Sequence, residues 1–232
     1  MRAVTQPADS AENFGFQEVG GYRMCWFGKL PSAGDFVSRR MDYAVQQFWD
    51  KWCAAGVEAL KAGSSVTGLD VWGATPKWAF VLPVQPDVGT GQLGVLAPSC
   101  DRVGRIFPFV VAVPLTPDQA AILLDRAALL GLALGQVVSH AQQNGLGIEA
   151  VDAELHDALA KTLAQSPAPE NDDTTILPQG KSLSFPWPDL ARRFDLHGTE
   201  SYWWSVPPAA TEFQFQTQRG ALKASHYLEL CR

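Results

Sequence analysis

Three β-rich runs follow one another with little chain between them: "KWAFVLPV" (77–84), "QLGVLAPS" (92–99) and "RIFPFVVAVPL" (105–115). The links, "QPDVGTG" and "SCDRVGR", are short and rich in Pro, Gly and Asp. Strands so connected can only return beside each other in opposite directions, because a parallel neighbour needs a crossover of about a dozen residues or more. The spacing therefore predicts an antiparallel meander. Pro108 falls inside the third run and cannot donate to a ladder, which predicts a bulge or an edge position there.

The flanking chain supplies strands and helices for this meander. "YRMCWFG" (22–28) is strand-like, and late in the chain "SYWWSV" and "EFQFQT" alternate in polarity. From Asp42, whose carboxylate can cap a helix N-terminus, Val45, Phe48, Trp49, Trp52 and Leu60 fall near one helical face and predict a helix that ends at Gly63. Phe48, Trp49 and Trp52 are its expected contacts with the sheet. Thr116 followed by Pro117 opens another helix, expected to run unbroken through "AAILLDRAALLGLALGQVVSHAQQ" and to be deeply buried. "IEAVDAELHDALAKTLAQ" predicts an amphipathic helix, and "SPAPENDDTT" an acidic loop. The expected fold is α+β: a single domain over residues 21–232, mainly an antiparallel β-sheet with a central meander, covered by α-helices. Residues 1–20 are expected to be a flexible N-terminal tail.

With 232 residues, 47% of them hydrophobic, and eight tryptophans, the chain can bury a substantial core. A formal net charge of −6 argues against a general nucleic-acid binder. The N-terminus lacks an apolar signal core, and the longest apolar run, 127–134, is shorter than the roughly 20 residues a membrane span takes. The expectation is a cytoplasmic protein without membrane insertion. Cys25, Cys53, Cys100 and Cys231 form no C-x-x-C pair and lie in or beside apolar runs, as reduced core thiols do.

Enzyme motifs fail when tested position by position. Gly28-Lys29 suggests a phosphate loop, but Arg23 stands where its first glycine belongs and Leu30 where Ser or Thr must hold magnesium. His140, His156, His197 and His226 are scattered, without the i, i+4 spacing of a helical zinc site. No G-x-S-x-G elbow occurs. Cys100 beside Asp101 has no identifiable base to generate its thiolate. Neither a cofactor nor a catalytic residue is expected.

Two charged turns remain. "GKLPSAGDF" carries Lys29 and Asp35, and "DRVGR" carries Asp101, Arg102 and Arg105. Both lie at strand ends, where Asp accepts backbone N–H groups. Lys29, Asp35, Asp101 and Arg105 are expected to meet as a salt-bridged structural corner. The competing reading is a small-ligand or anion-binding site, or an enzyme, built on Asp35 and Asp101. Arg39 and Arg40 follow the first turn and are the candidate partner-binding residues, since arginine forks suit protein interfaces.

The segments "FGKLPSAGDFVSRR", "FWDKWCAAG", "TPKWAF", "GVLAPSCDRVGRIFPFVVAVPL" and "SYWW" together resemble the TagF family, also called ImpM, of type VI secretion accessory proteins. The resemblance covers most of residues 24–206 in the family's order, and "PSCDRVGRIFPF" is its most specific part. Ala79 departs from it, standing where "TPKWAF" often carries an arginine. The resemblance implies a non-enzymatic regulator. It implies a post-translational repressor of apparatus assembly that acts by binding a forkhead-associated-domain scaffold protein.

Overall fold

Strands β3 (Lys77–Leu82), β4 (Gly91–Ala97) and β5 (Phe109–Leu115) pair antiparallel in chain order, with Phe80 opposite Gly94 and Gly94 opposite Ala112. The meander forms as its short links require. The computed structural model describes residues 18–63, 72, 74–165, 174–176, 182–184, 190–206 and 214–232. Residues 1–17 of the expected tail and 166–173 of the acidic loop lie outside these, as do Glu212 and Phe213 of "EFQFQT".

Four more strands extend the meander on both sides. β1 (Cys25–Gly28) pairs with β5 and carries β2 (Val37–Arg39) on its outer side. On the opposite side β8 (Glu200–Val206) pairs with β3, and β9 (Phe215–Arg219) pairs with β8. The sheet order is β2-β1-β5-β4-β3-β8-β9, every neighbour antiparallel. β6 (Thr174–Ile176) and β7 (Ser182–Ser184) form a separate two-stranded ladder. The fold is α+β.

Helices cover both faces of the main sheet, which explains why the central strands are apolar at almost every position. Along β3, Trp78, Phe80 and Leu82 join one hydrophobic cluster, while Ala79 and Val81 join the other. The first cluster lies under α1 (Tyr43–Gly63) and α5 (Ala224–Leu230). Trp49 is fully buried against Phe80, with ring centroids 4.9 Å apart, and its indole N–H donates to Gln92 Oε1 at 2.8 Å. Trp52 packs on Trp203, and Phe48 is partly buried. The second cluster lies under α3 (Ala127–Asn144) and α4 (Ile148–Ala164). Gly131 and Gly135 let α3 press onto the sheet, since a Cβ at either would come within 2.6 Å of Ala79 or Val206.

Two local expectations are corrected. The helix that opens at Thr116 is not continuous: α2 (Pro117–Leu124) and α3 meet at an angle of 81°. Asp125 and Arg126 make the corner, and the Arg126 guanidinium reaches the Ile122 carbonyl of the last α2 turn and the Gln165 carbonyl beyond α4. Apolar periodicity runs through both helices and hides the break. Pro108 makes neither a bulge nor an edge, because central strand β5 begins one residue later. Its carbonyl faces the Lys29 N–H at 3.4 Å. At α1, the Asp42 carbonyl accepts the Gln46 N–H, while its carboxylate pairs with Arg23 at 3.1 Å.

Among the described residues, no single helix is long and apolar enough to cross a membrane. Cys25, Cys53 and Cys231 are buried, Cys100 is partly buried, and all four are free thiols. Burial pushes the Cys25 thiol up to about 12 and that of Cys231 to about 11, so neither forms a thiolate readily.

Candidate functional site

The two charged turns meet at one end of the sheet. Gly28 closes β1 at φ +138°, and a Cβ there would lie 2.1 Å from the Pro108 carbonyl oxygen, so the β1 turn and the entry to β5 touch backbone to backbone. From that contact Lys29 points inward. Its Nζ donates to Asp101 Oδ2 at 2.9 Å and to the Arg105 carbonyl at 3.4 Å. Asp101 Oδ2 also accepts Arg105 Nε at 2.7 Å, while Oδ1 accepts the backbone N–H groups of Val103 at 3.1 Å and Arg105 at 2.9 Å. Four donors thus surround one buried carboxylate.

The loops are also sewn together through their backbones. Arg105 Nη2 donates to the Gly34 carbonyl at 2.7 Å, and the Arg102 N–H to the Ala33 carbonyl at 2.8 Å. Ser99 Oγ donates to the Lys29 carbonyl at 2.6 Å. Burial alone would raise the Asp101 pKa. Hydrogen bonds from Lys29, then from Arg105 and Val103, outweigh it and hold the carboxyl well below the ordinary range. Asp101 stays ionised, its lone pairs committed to the fold.

Asp35 does not join this cluster. Its carboxylate is exposed and accepts the N–H of Phe36 at 2.8 Å, tying its own turn. Arg105 accordingly pairs with Asp101, and its fork is completed by the Gly34 carbonyl rather than by a second carboxylate oxygen. Arg102 is exposed. Phe36, 44% exposed, stacks on Phe27 at 5.5 Å and meets Phe107 edge-on at 4.8 Å, with Lys29 Nζ 5.1 Å from its ring centre. Phe36 thus caps the corner with an aromatic surface.

Arg39 and Arg40 have different fates. Arg40 lies at φ +52°, a left-handed conformation uncommon outside glycine. Its guanidinium turns back into the protein. Nε donates to the Met24 carbonyl at 2.9 Å, and Nη1 to Asp152 Oδ2 at 3.0 Å, while Nη2 meets Asp152 Oδ1. Trp26 Nε1 adds a bond to Asp152 at 2.7 Å, and His156 Nδ1 lies 2.7 Å from the Asp152 carbonyl. Burial raises the Asp152 pKa, but the Arg40 and Trp26 hydrogen bonds bring it below the ordinary value. Arg40 is therefore not left over for a partner. It clamps the end of β2 to α4. Arg39 keeps an accessible side chain, paired at 3.3 Å with the exposed Glu149 and 5.8 Å from the Trp26 ring.

Asp152 and His156 are the residues that sequence reasoning missed. Both are polar positions on an amphipathic helix, and nothing in the helix itself distinguishes them from solvated ones.

A family model of the TagF N-terminal domain, type VI secretion system-associated, matches residues 25–158. That span runs from β1 into α4 and contains both charged clusters. No curated protein matches the chain. Among solved structures, the crystal structure of PA0076 from Pseudomonas aeruginosa PAO1 is similar, with a TM-score of 0.61 and 24% identity over 90% of this chain and 93% of that one. At that identity the likeness speaks for the fold. The family model takes in more than half of the residues, the Lys29–Asp101–Arg105 corner among them, and the chain belongs to the TagF N-terminal domain family associated with type VI secretion.

Proposed function

We propose that the protein is a non-enzymatic cytoplasmic regulator of type VI secretion that represses apparatus assembly by binding a forkhead-associated-domain scaffold protein. Family membership supplies the secretion system. The observation that carries the choice of a binder over an enzyme is the state of Asp101. Its carboxylate is buried and takes four internal hydrogen bonds, which leaves it poorly suited to act as a base or a ligand. The alternative site needs Asp35 and Asp101 to face one space, yet one is exposed and the other enclosed.

Arg39 is the arginine whose position suits a contact with the scaffold, because its side chain is 40% exposed and engages the exposed Glu149, the neighbouring Ser38 carbonyl and the Trp26 ring. Repression by occupancy should scale with the ratio of this protein to the scaffold. Co-purification of the two from cells, followed by secretion assays at graded expression, tests this. Co-elution and stoichiometric repression are the expected outcome. Full repression by trace protein would overturn the occupancy mechanism, and wild-type binding by Arg39→Glu would overturn the contact.

A further inference from the structure

We propose that the outer edge of β9 is a self-pairing surface, through which two copies of the chain join antiparallel across a two-fold axis at Thr217. β9 ends the main sheet, and no strand lies beyond it among the described residues. The phase of its ladder is known at both ends. The Ser205 N–H donates to the Gln214 carbonyl at 2.9 Å, and the Gly220 N–H to the Thr199 carbonyl at 2.7 Å. Hydrogen-bonding residues alternate along an antiparallel pair. Gln214, Gln216, Gln218 and Gly220 therefore turn their backbone groups toward β8. The odd-numbered residues between them, Thr217 at the centre, turn theirs toward the sheet's outer edge. The Arg219 carbonyl, one of these, takes the side-chain amide of its neighbour Gln218 at 3.1 Å.

Proteins usually blunt such an edge with Pro, Lys, a bulge or a very short strand. The opposite edge follows that pattern: β2 has three residues and ends against the left-handed Arg40. β9 has five residues, Phe-Gln-Thr-Gln-Arg, with neither Pro nor Lys. Its sequence also selects the occupant. In an antiparallel pair centred on Thr217, Gln216 faces Gln218 of the second copy and Thr217 faces itself. Phe215, 41% exposed, faces Arg219, whose side chain is 80% exposed. All three kinds of pair are favourable across strands: amide with amide, hydroxyl with hydroxyl, and guanidinium with aromatic ring. A foreign strand has no such reason to match this order. The seam is short, below the roughly 1,200 Å² of a standard interface, so the dimer is expected to be weak and concentration-dependent.

Sedimentation equilibrium of the full chain over a wide concentration range, with Thr217→Lys and Thr217→Cys beside the wild type, tests the pairing. Wild-type protein should rise toward twice the chain mass. Thr217→Lys places two ammonium groups together on the axis and should remain monomeric at wild-type fold, read by circular dichroism. In Thr217→Cys the two thiols belong to a hydrogen-bonded pair with Cα atoms about 5.5 Å apart, inside the disulfide range of about 4.4–6.8 Å. Mild oxidation should trap a covalent dimer that wild-type protein does not form. A monomer at every concentration, a dimer that survives Thr217→Lys, or a dimer that Thr217→Cys cannot trap would each overturn the proposal. The trapping arm decides the matter should the lysine variant not fold.

Discussion

Arg40 and Asp152 lie 112 residues apart in sequence, yet Arg40 Nη1 donates to Asp152 Oδ2 at 3.0 Å. The pair ties the end of an edge strand to the N-terminal part of α4, and both side chains are largely enclosed, at 15% and 16% exposure. Its Trp26 and Met24 partners make it a network spanning β1, β2 and α4.

Reversing Arg40 to Glu sets two carboxylates against each other at that point. Breaking one side of a buried pair costs about 3–5 kcal/mol. Arg39→Glu disturbs an exposed pair, and its effect should stay within about 1 kcal/mol. Urea unfolding of the two single variants should separate them by that margin. The contrast matters for function, since only Arg39→Glu gives a fair test of scaffold binding in a folded protein.

Asp101 should make the fold acid-sensitive. Its folded pKa lies below the ordinary 3.8, so its stabilisation is complete above that value. It is lost as pH falls below 3.8 toward the folded value, where the folded state also takes up the proton. Asp101→Asn leaves Lys29 without its carboxylate and should lower the urea midpoint at pH 7. The gap between wild type and variant should narrow on acidification below 3.8. An unchanged gap down to pH 2 would mean that the carboxylate charge does not hold the corner.

His226 predicts a second, separate pH window. It is buried beside Trp203, at 5.0 Å between ring centres, and Trp52, at 6.0 Å, and neither ring nitrogen has a hydrogen-bond partner among the described residues. Burial lowers its pKa from 6.5 to about 4. Between those values the unfolded chain binds a proton that the folded chain does not, so stability falls as pH drops through the window. His226→Phe should flatten that slope between pH 6.5 and about 4. Tryptophan fluorescence during unfolding at stepped pH reads it.

Trp49→Ala empties the contact between α1 and the sheet. Removing a fully buried tryptophan costs about 3–5 kcal/mol, and here the Gln92 side-chain carbonyl also loses its donor. Thermal or urea unfolding should show a loss of that size. A variant as stable as wild type would place the anchoring of α1 on Trp52 and Cys53 instead.

Elements with local signals were legible in the sequence. The meander β3–β4–β5 follows from two short Pro/Gly links, α1 from its aromatic face, and the α2 start from Thr116-Pro117, which closes a full capping box with Gln119. The Asp101 turn was legible too, because its carboxylate binds N–H groups two and four residues on. Asp35 stays outside the corner because its carboxylate is exposed to solvent and bonds locally to the Phe36 N–H of its own turn.

What tertiary structure decided was everything in which distant segments compete for the same partner. The chain alone determined which residues are charged, which strands must be neighbours and where the turns bend. It could not determine that β1 inserts beside β5, so that Lys29 rather than Asp35 reaches Asp101. Nor could it assign Arg40 to Asp152 while leaving Arg39 at the surface. An ion pair is selected by proximity and by the desolvation of both partners, and neither exists until the sheet has closed and α4 has packed across β1.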